Sequence, residues 1–214
     1  MALHYAGGTD TLRYGTSWNV TPGTIAFWFK SSDATSNVCI ASLWSTTSRS
    51  GWGILLNNTA GKISAAGFDT TTQRVTLAST STVNDGAWHH FAYSWNTANG
   101  GANALYVDGT SQATGNSTAA WTLGNQTFCT GDNVDTFWAS YTGDLAELAI
   151  WENRQLDANE IAALAKGFSP QVIDANSSKK LYAPLIANTV DAYGTIPNSV
   201  IGTSNGTHPR VIGR

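Results

Sequence analysis

Charged side chains are scarce in this sequence. Only 12% of the 214 residues are Asp, Glu, Lys or Arg, and the formal net charge is −3. This balance gives no strong electrostatic field, so neither nucleic acid nor an anionic membrane is the expected partner. The polar surface is therefore expected to come from Ser, Thr, Asn and Gly, which are abundant along the chain.

Long hydrophobic runs are also missing. No stretch approaches eighteen apolar residues, so no membrane-spanning helix is expected. Residues 1–8 contain neither a basic stretch nor an apolar one, and we expect no secretory signal peptide. Three explanations fit this expectation: the protein is used inside the cell, it is released by lysis, or it has been trimmed to a mature form.

Cysteine is limited to Cys39 and Cys129, each inside an apolar run. Two thiols are too few for a disulfide scaffold. The favoured interpretation is two buried free thiols, and a single disulfide that bridges two sheets is the alternative. Metal binding by this pair is disfavoured, because no Cys-x-x-Cys or His-x-x-His spacing accompanies it.

Short strand-like runs are plentiful, and turn residues separate them at intervals of about ten. This pattern is typical of an all-β sandwich or jelly roll, and 214 residues suit one such domain. The predicted strands are 24–30, 38–44, 53–56, 63–68, 75–78, 88–95, 104–107, 126–129, 145–152 and 180–186.

One short helix is predicted after the strand at 145–152. Asp157 and Glu160 form a variant of the capping box, and Gly167 supplies the helix stop. Ile161, Leu164 and Ala165 form one apolar stripe. A helix of about nine residues is too short to be stable alone, so we expect it to pack on the sandwich.

The C-terminal residues differ in composition from the rest. Residues 188–214 are rich in Gly, Asn, Ser and Thr and are predicted to form an extended arm, after a domain at 1–187. Two arrangements stay open at this point: the arm lies on a neighbouring subunit, or it wraps its own domain.

Four segments in series resemble laminin-G-like and pentraxin-like lectin domains. They are Gly23 to Lys30 (GTIAFWFK), Asp85 to Ala92 (DGAWHHFA), Leu105 to Gly109 (LYVDG), and Tyr141 to Trp151 running into Ile161. The matching region covers roughly residues 20 to 168. The resemblance implies a concanavalin A-like jelly roll of two curved antiparallel sheets, with function in loops or on the concave face. The fold alone does not determine the function.

His89 and His90 are adjacent in the second of these segments. Neighbouring residues of a strand point to opposite faces, so the two rings cannot chelate one ion or act as a catalytic pair. We interpret them as histidines that pack on the sheet.

Laminarinase-type glycosidases share this type of jelly roll, so the carboxylates need attention. A retaining glycosidase needs two carboxyl groups about 5 Å apart, and those enzymes place them four residues apart on one strand face. The three glutamates here do not fit: Glu147 and Glu152 are five residues apart, and Glu160 lies in the helix cap. We therefore predict that the protein is not an enzyme, and glycanase is the least favoured function.

Calcium is the metal that the resemblance suggests, since laminin-G and pentraxin domains often hold it in rim loops. Asp132, Asn133 and Asp135 precede the strand at 145–152 and offer oxygen ligands suited to a hard cation. The alternative is that these polar residues cap turns. No other cofactor is expected.

Tryptophan is unusually frequent, with nine residues. The four in strand motifs, namely Trp28, Trp88, Trp95 and Trp151, are expected in the core. Five lie nearer loops or strand ends and are better candidates for exposure: Trp18, Trp44, Trp52, Trp121 and Trp138. Among these, Trp52, Trp121 and Trp138 are the predicted glycan-stacking residues, and burial in the core is the alternative for each of them.

The combined interpretation is a non-catalytic, lectin-like jelly roll on a virion surface. Similar compact laminin-G-like domains occur in structural proteins of tailed bacteriophages, which decorate capsids or tails and leave the host by lysis. We expect assembly with other virion proteins or further copies through the C-terminal arm, and binding of host glycans by outward loops. The alternative is a free extracellular carbohydrate-binding lectin, with or without calcium.

Overall fold

The computed structural model describes residues 2–18, 21–123, 126–132, 137–173, 178–185, 198–201 and 203–212. Within these ranges the chain is mostly β-strand, and two short helices follow the longest strand. The strands are β1 (Ala2–Ala6), β2 (Thr11–Trp18), β3 (Gly23–Lys30), β4 (Val38–Ser45), β5 (Ser50–Leu56), β6 (Ile63–Asp69), β7 (Thr72–Ala78), β8 (Trp88–Trp95), β9 (Ala102–Val107), β10 (Thr110–Asn116), β11 (Gln126–Thr130), β12 (Ala139–Ser140), β13 (Thr142–Glu152), β14 (Lys179–Ala183), β15 (Asn198–Ile201) and β16 (Ser204–Gly206). The helices are α1 (Ala158–Ala165) and α2 (Pro170–Ile173).

The strands pair into two sheets that pack face to face. Sheet 1 has the order β10-β9-β8-β3-β13-β1-β16, and β14 pairs with the second half of β13. Sheet 2 has the order β15-β2-β11-β4-β5-β6-β7, and the short β12 pairs parallel to β4. Apart from β12, the pairs in these sheets are antiparallel. The predicted two-sheet, jelly-roll-like sandwich is confirmed.

The core lies between the two sheets and is rich in aromatic rings. Because side chains of a strand alternate between its faces, Trp52 of β5 and Trp95 of β8 meet across the sandwich, with ring centroids 5.0 Å apart. Phe128 of β11 lies 6.2 Å from the Trp52 ring. Full burial of one such ring contributes roughly 1.5–3 kcal/mol, so this cluster is a main source of stability.

Nine of the ten predicted strands lie inside observed strands. The prediction at 180–186 is too long, because β14 ends at Ala183. Pro184 follows and lacks the N–H that a continuing ladder would use. No strand was predicted at β1, β2, β10, β12, β15 or β16.

The predicted helix is confirmed as α1. The Asp157 carboxylate accepts from backbone N–H groups of the first turn, and the Glu160 side chain accepts from the Asp157 N–H. Ile161 and Leu164 are buried against small residues on the outer face of sheet 1, namely Ala26, Ala92 and Ala149. Neither helix in the described ranges is long and apolar enough to cross a membrane.

His89 and His90 lie on opposite sides of β8 and pack on the sheet, as predicted. The His90 ring is buried against Trp28, with centroids 5.4 Å apart. His89 lies between two turns: its Nδ1 is 2.8 Å from Asp108 Oδ2, and its Nε2 is 3.2 Å from Asp85 Oδ1. The hydrogen bond with Asp108 raises the pKa of His89, against the effect of partial burial. The histidine therefore ties the turn before β8 to the β9–β10 hairpin.

Cys39 and Cys129 are buried thiols that are not joined in a disulfide, so the favoured interpretation of the two residues is confirmed. Both thiols donate toward the Asp132 carbonyl oxygen, from 3.6 Å and 2.9 Å respectively. They therefore support the start of the segment that follows β11.

The described residues of the C-terminal segment wrap their own domain. β15 pairs with β2 at the edge of sheet 2, and β16 pairs with β1 at the edge of sheet 1. Farther along, the backbone of Ile212 bridges that of Phe168. Of the two arrangements left open for the arm, this is the one seen for these residues. The boundary at residue 187 and contact with a neighbouring subunit stay predictions.

Candidate functional site

An aromatic groove crosses the outer face of sheet 2. We define the aromatic groove as two adjoining cavities, of about 260 and 80 Å³, that share Phe68, Phe137 and Trp138 in their walls. Phe137 is 69% exposed, the largest value for a large apolar side chain among the described residues. Apolar side chains exposed beside a cavity are typical of binding sites.

The floor of the aromatic groove consists of small residues of β5 and β6. Because Trp52 faces the core, Gly53 next to it faces outward. A Cβ atom on Gly53 would lie 2.6 Å from the Trp138 ring, so a side chain there would displace the indole. Ala66, the cross-strand partner of Gly53, also lines the groove. The glycine and alanine thus allow Trp138 to approach the sheet closely.

Contacts among aromatic rings hold Trp138 in place. Its ring centroid lies 5.6 Å from Trp44, 6.3 Å from Phe68 and 5.7 Å from Phe137. The interplanar angles with Trp44 and Phe137 are 65° and 74°, the edge-to-face geometry that aromatic pairs prefer. Trp44 and Phe68 also meet edge to face, at 5.8 Å. The cluster therefore presents Phe137 on a fixed base.

The rim of the groove is polar and largely neutral. Its described residues include Asn37, Asn58, Thr71, Gln73 and one charged side chain, Arg49. The β4–β5 and β6–β7 turns bring Arg49 and Thr71 together, where the Thr71 N–H donates to the Arg49 carbonyl oxygen at 3.3 Å. Side-chain amides both donate and accept hydrogen bonds. This arrangement suits a ligand with an apolar face and many hydroxyl groups.

The sequence, fold and groove agree with a match to one known family. A model of the concanavalin A-like lectin/glucanases superfamily matches residues 7–162, well over half of the chain. The chain belongs to this superfamily. The laminin-G-like and pentraxin-like resemblance of its four segments is thereby confirmed.

A curated relative in this comparison is neuronal pentraxin-2 of Homo sapiens. It is 31% identical over 121 residues, which make up 52% of this chain and 26% of the pentraxin. The chain therefore spans about a quarter of the length of that relative.

Several solved structures share most of this fold. A heptameric SAP-like pentraxin from Limulus polyphemus has a TM-score of 0.68 at 14% identity, over 93% of this chain and 94% of the pentraxin chain. Domain 4 of an extracellular arabinanase from Geobacillus stearothermophilus, solved with arabinotriose, has a TM-score of 0.63 at 17% identity, over 77% and 76%. The CBM40 of the Ruminococcus gnavus IT-sialidase, bound to α2,3-sialyllactose, has a TM-score of 0.56 at 15% identity, over 77% and 96%. At such identities these likenesses show the fold alone.

The three predicted glycan-stacking tryptophans lie in different places. Trp138 lines the groove, although only 7% of it is exposed. Trp52 is fully buried because strand alternation turns it into the core. Trp121 is 4% exposed, since its ring packs over Gly67 and its indole N–H donates to Ser117 Oγ at 3.1 Å. The expected exposure of these rings is wrong, and that of Trp18 and Trp44 is wrong too, whereas a ligand role for Trp138 stays a prediction.

Only one of the three predicted calcium ligands, Asp132, lies within the described residues. Asp132 is buried, and its carbonyl oxygen already accepts from the two cysteine thiols. Asn133 and Asp135 lie outside the described residues. Within the described ranges, no group of three or more His, Cys, Asp or Glu side chains is arranged to hold a metal ion. Calcium binding by Asp132, Asn133 and Asp135 therefore stays a prediction.

Sequence reasoning missed Phe68, Phe137 and the amide rim. One signal was present: Gly51-Trp52-Gly53 alternates glycine with an inward tryptophan, which leaves two successive outward positions of β5 without side chains. An aromatic residue from elsewhere can then lie on that strand, as Trp138 does. The identity of that aromatic residue depends on the tertiary structure, which the local sequence pattern does not specify.

Proposed function

We propose that this chain is a non-catalytic, lectin-like domain that binds carbohydrate in the aromatic groove. The observation that carries the proposal is the exposed Phe137 ring, which stands on Trp138 between neutral side-chain amides. The apolar face of a sugar ring can stack on Phe137, and its hydroxyl groups can bond to Asn58 and Gln73.

The relatives support a carbohydrate ligand. The arabinanase domain was solved with arabinotriose, and the sialidase CBM40 was solved with sialyllactose. Those sugars belong to those proteins, and the class of ligand is what we carry over. Because Arg49 is the one charged side chain in the described lining, the groove is better matched to uncharged sugars than to strongly charged ones.

The lining of the aromatic groove also supports binding without hydrolysis. Glycosidases of either stereochemical course use two carboxyl groups placed about 5 to 9.5 Å apart. The described lining residues of the groove include no carboxylate. The described lining therefore has groups that can bind a sugar but not the pair of carboxyl groups that hydrolysis uses.

The finer proposal is that the domain is displayed on the virion surface of a tailed bacteriophage, as a capsid decoration or tail-associated protein. It is supported by the resemblance to laminin-G-like domains of such phages and by the scarcity of charge. In that setting the groove would bind host glycans. Mass spectrometry of purified particles tests this location, and absence of the chain from the particles would refute it.

A free extracellular lectin is the second candidate. One structural observation favours it: residues 198–201 and the backbone of Ile212 pair with the chain's own strands and α1–α2 connection rather than extending away. The two candidates differ in where the chain is found. A virion protein co-sediments with particles, whereas a free lectin stays in the supernatant.

Replacing Phe137 by Ala should weaken carbohydrate binding roughly tenfold, because one stacking ring contributes about 1–3 kcal/mol. The wild type is first screened on an oligosaccharide array, and the best ligand is then titrated by calorimetry. Phe168→Ala is the matched control, since Phe168 is also exposed but lies outside the groove. Equal affinities of Phe137→Ala and wild type would rule out the groove as the binding site.

A further inference from the structure

A second recess lies on sheet 1, at the end that α1 leaves uncovered. We call it the polar cleft; its volume is about 450 Å³, and its walls include His4, Lys30, Asp33, Thr142 and Asp144. It shares no described lining residue with the aromatic groove on sheet 2. The two recesses are therefore separate sites.

Strand register places the charged side chains of the polar cleft in one row. His4 of β1 is directly opposite Asp144 of β13, and Asp144 is opposite Lys30 of β3. The row continues to Trp88 of β8, which is half-buried. Directly opposite residues point to the same face, and the neighbouring Phe29 faces the core. The row is therefore on the outer face.

Neighbouring turns fix the shape of the polar cleft. The Ser31 hydroxyl donates to the Thr142 carbonyl oxygen at 2.7 Å, and the Gly86 N–H donates to the Ser31 carbonyl oxygen at 3.0 Å. The Asp33 Oδ1 accepts from the Thr35 N–H at 2.8 Å. These bonds hold the loop after β3 against the start of β13, so the walls are preorganised.

Several polar groups in this recess retain bonding capacity. His4 Nδ1 lies 2.7 Å from Asp144 Oδ1, while Asp144 Oδ2 has no hydrogen-bond partner among the described residues. The same holds for Asp33 Oδ2, whose companion oxygen bonds to Thr35. The Lys30 ammonium likewise forms no ion pair within the described ranges, although two carboxylates line the same cleft. Donor and acceptor groups thus face one space.

The mixture of charges selects the class of ligand. A cationic ligand would meet Lys30 as well as the two carboxylates, and an anionic one would meet Asp33 and Asp144 as well as Lys30, so a ligand of either sign is both attracted and repelled. Hydroxyl groups fit both, because a hydroxyl donates to a carboxylate and accepts from an ammonium. The volume also lies within the range of about 300–1,000 Å³ found for small-molecule sites.

We infer that the polar cleft is a second carbohydrate site, which binds uncharged, hydroxyl-rich saccharides through Lys30, Asp33 and Asp144. It goes beyond the proposed function of the aromatic groove and does not depend on it. With one site on each sheet, a single chain can engage two glycan segments, and the second contact then benefits from a raised effective concentration.

The test compares Lys30→Met with the wild type on an array of uncharged, carboxylated and amine-bearing oligosaccharides. Lys30→Met should lose roughly tenfold or more in affinity for some uncharged saccharides, because it removes a charged hydrogen-bond donor. Lys166→Met is the matched control, an exposed lysine that follows α1 and lies outside the cleft. In addition, the uncharged saccharides that bind should shift the backbone amide signals of Gly86 and Thr142 in NMR spectra of the wild type.

Several outcomes distinguish binding in the polar cleft from binding in the aromatic groove. Ligands that are lost by Lys30→Met but kept by Phe137→Ala support the polar cleft, whatever the groove does. The inference is overturned if Lys30→Met binds all saccharides as tightly as the wild type, or loses only charged ones. It is also overturned if no uncharged saccharide moves the Gly86 and Thr142 signals.

Discussion

Acidification from pH 7 to pH 5 should lower the free energy of unfolding by roughly 2 kcal/mol through His90 alone. His90 is 2% exposed, and its Nδ1 atom has no hydrogen-bond partner in the described structure. Burial lowers the pKa of this side chain to about 3, although the Asp108 carboxylate acts in the opposite direction. The folded state therefore accepts the ring only in its neutral form.

The sign of the effect follows from comparing the two states. An unfolded histidine has a pKa of about 6.5, well above that of folded His90. The stabilising contribution of neutral His90 is fully present above the unfolded pKa of about 6.5. It is lost as the pH falls from there toward the folded pKa of about 3, where the loss reaches roughly 4–5 kcal/mol. His89 works the other way: its raised pKa makes its contribution complete below about 6.5 and lost as pH rises through the folded value.

Urea unfolding at pH 7, 6 and 5 measures this directly. His90→Phe keeps an aromatic ring against Trp28 and removes the titration, so its stability should fall less steeply with acid than that of the wild type. Parallel slopes for His90→Phe and the wild type would refute the assignment to His90.

Replacing His208 by Ala should lower the free energy of unfolding by about 2 kcal/mol. His208 Nε2 lies 3.1 Å from Oε1 of Glu147, which is 3% exposed. The other carboxylate oxygen accepts from the Tyr182 hydroxyl at 2.6 Å. Glu147 has a φ of 52° and lies where the neighbour of β13 changes from β1 to β14. The contact therefore joins the C-terminal segment to the centre of sheet 1.

Two contacts of the His208 ring show what its removal would take away. Its Nδ1 is 2.6 Å from the Pro209 carbonyl oxygen, which can only accept, so Nδ1 donates to it. Its Nε2 faces the Glu147 carboxylate. Removing the ring would take one polar partner from a buried carboxylate, and the loss of a hydrogen bond to a charged group costs about 1.5–3 kcal/mol.

Urea unfolding and limited proteolysis test this contact. His208→Ala should be less stable and should be cut faster within residues 203–212. Arg210→Ala is the matched control, because Arg210 is exposed on the same segment. If His208→Ala unfolds at the same urea concentration as the wild type, the contact with Glu147 does not hold this segment.

The sandwich could be predicted because its central strands carry strong local signals. β3, β8 and β13 alternate large inward residues with others and are bounded by turn residues, so each was found from sequence. β10, with the sequence TSQATGN, has no such alternation. It is an edge strand whose formation depends on pairing with β9, which a local pattern does not reveal.

The candidate site was harder to predict because its residues converge from distant parts of the chain. Phe68 and Phe137 are far apart in sequence, and they meet only because β6 and the residues after β11 lie on one face. The position of a tryptophan near a loop in the sequence also did not predict that its side chain is exposed. Trp52 lies between two glycines and still faces the core, since alternation along the strand decides its direction.

The central claim is that carbohydrate binds in the aromatic groove, and the indole N–H signal of Trp138 tests it most directly. The uncharged oligosaccharide that binds best on the array is titrated into 15N-labelled wild-type protein, with Trp138→Phe used to assign the signal. The account predicts a saturable shift of the Trp138 signal, while that of Trp151, buried beneath α1, stays in place. Saturable binding that leaves the Trp138 signal unchanged would contradict the account.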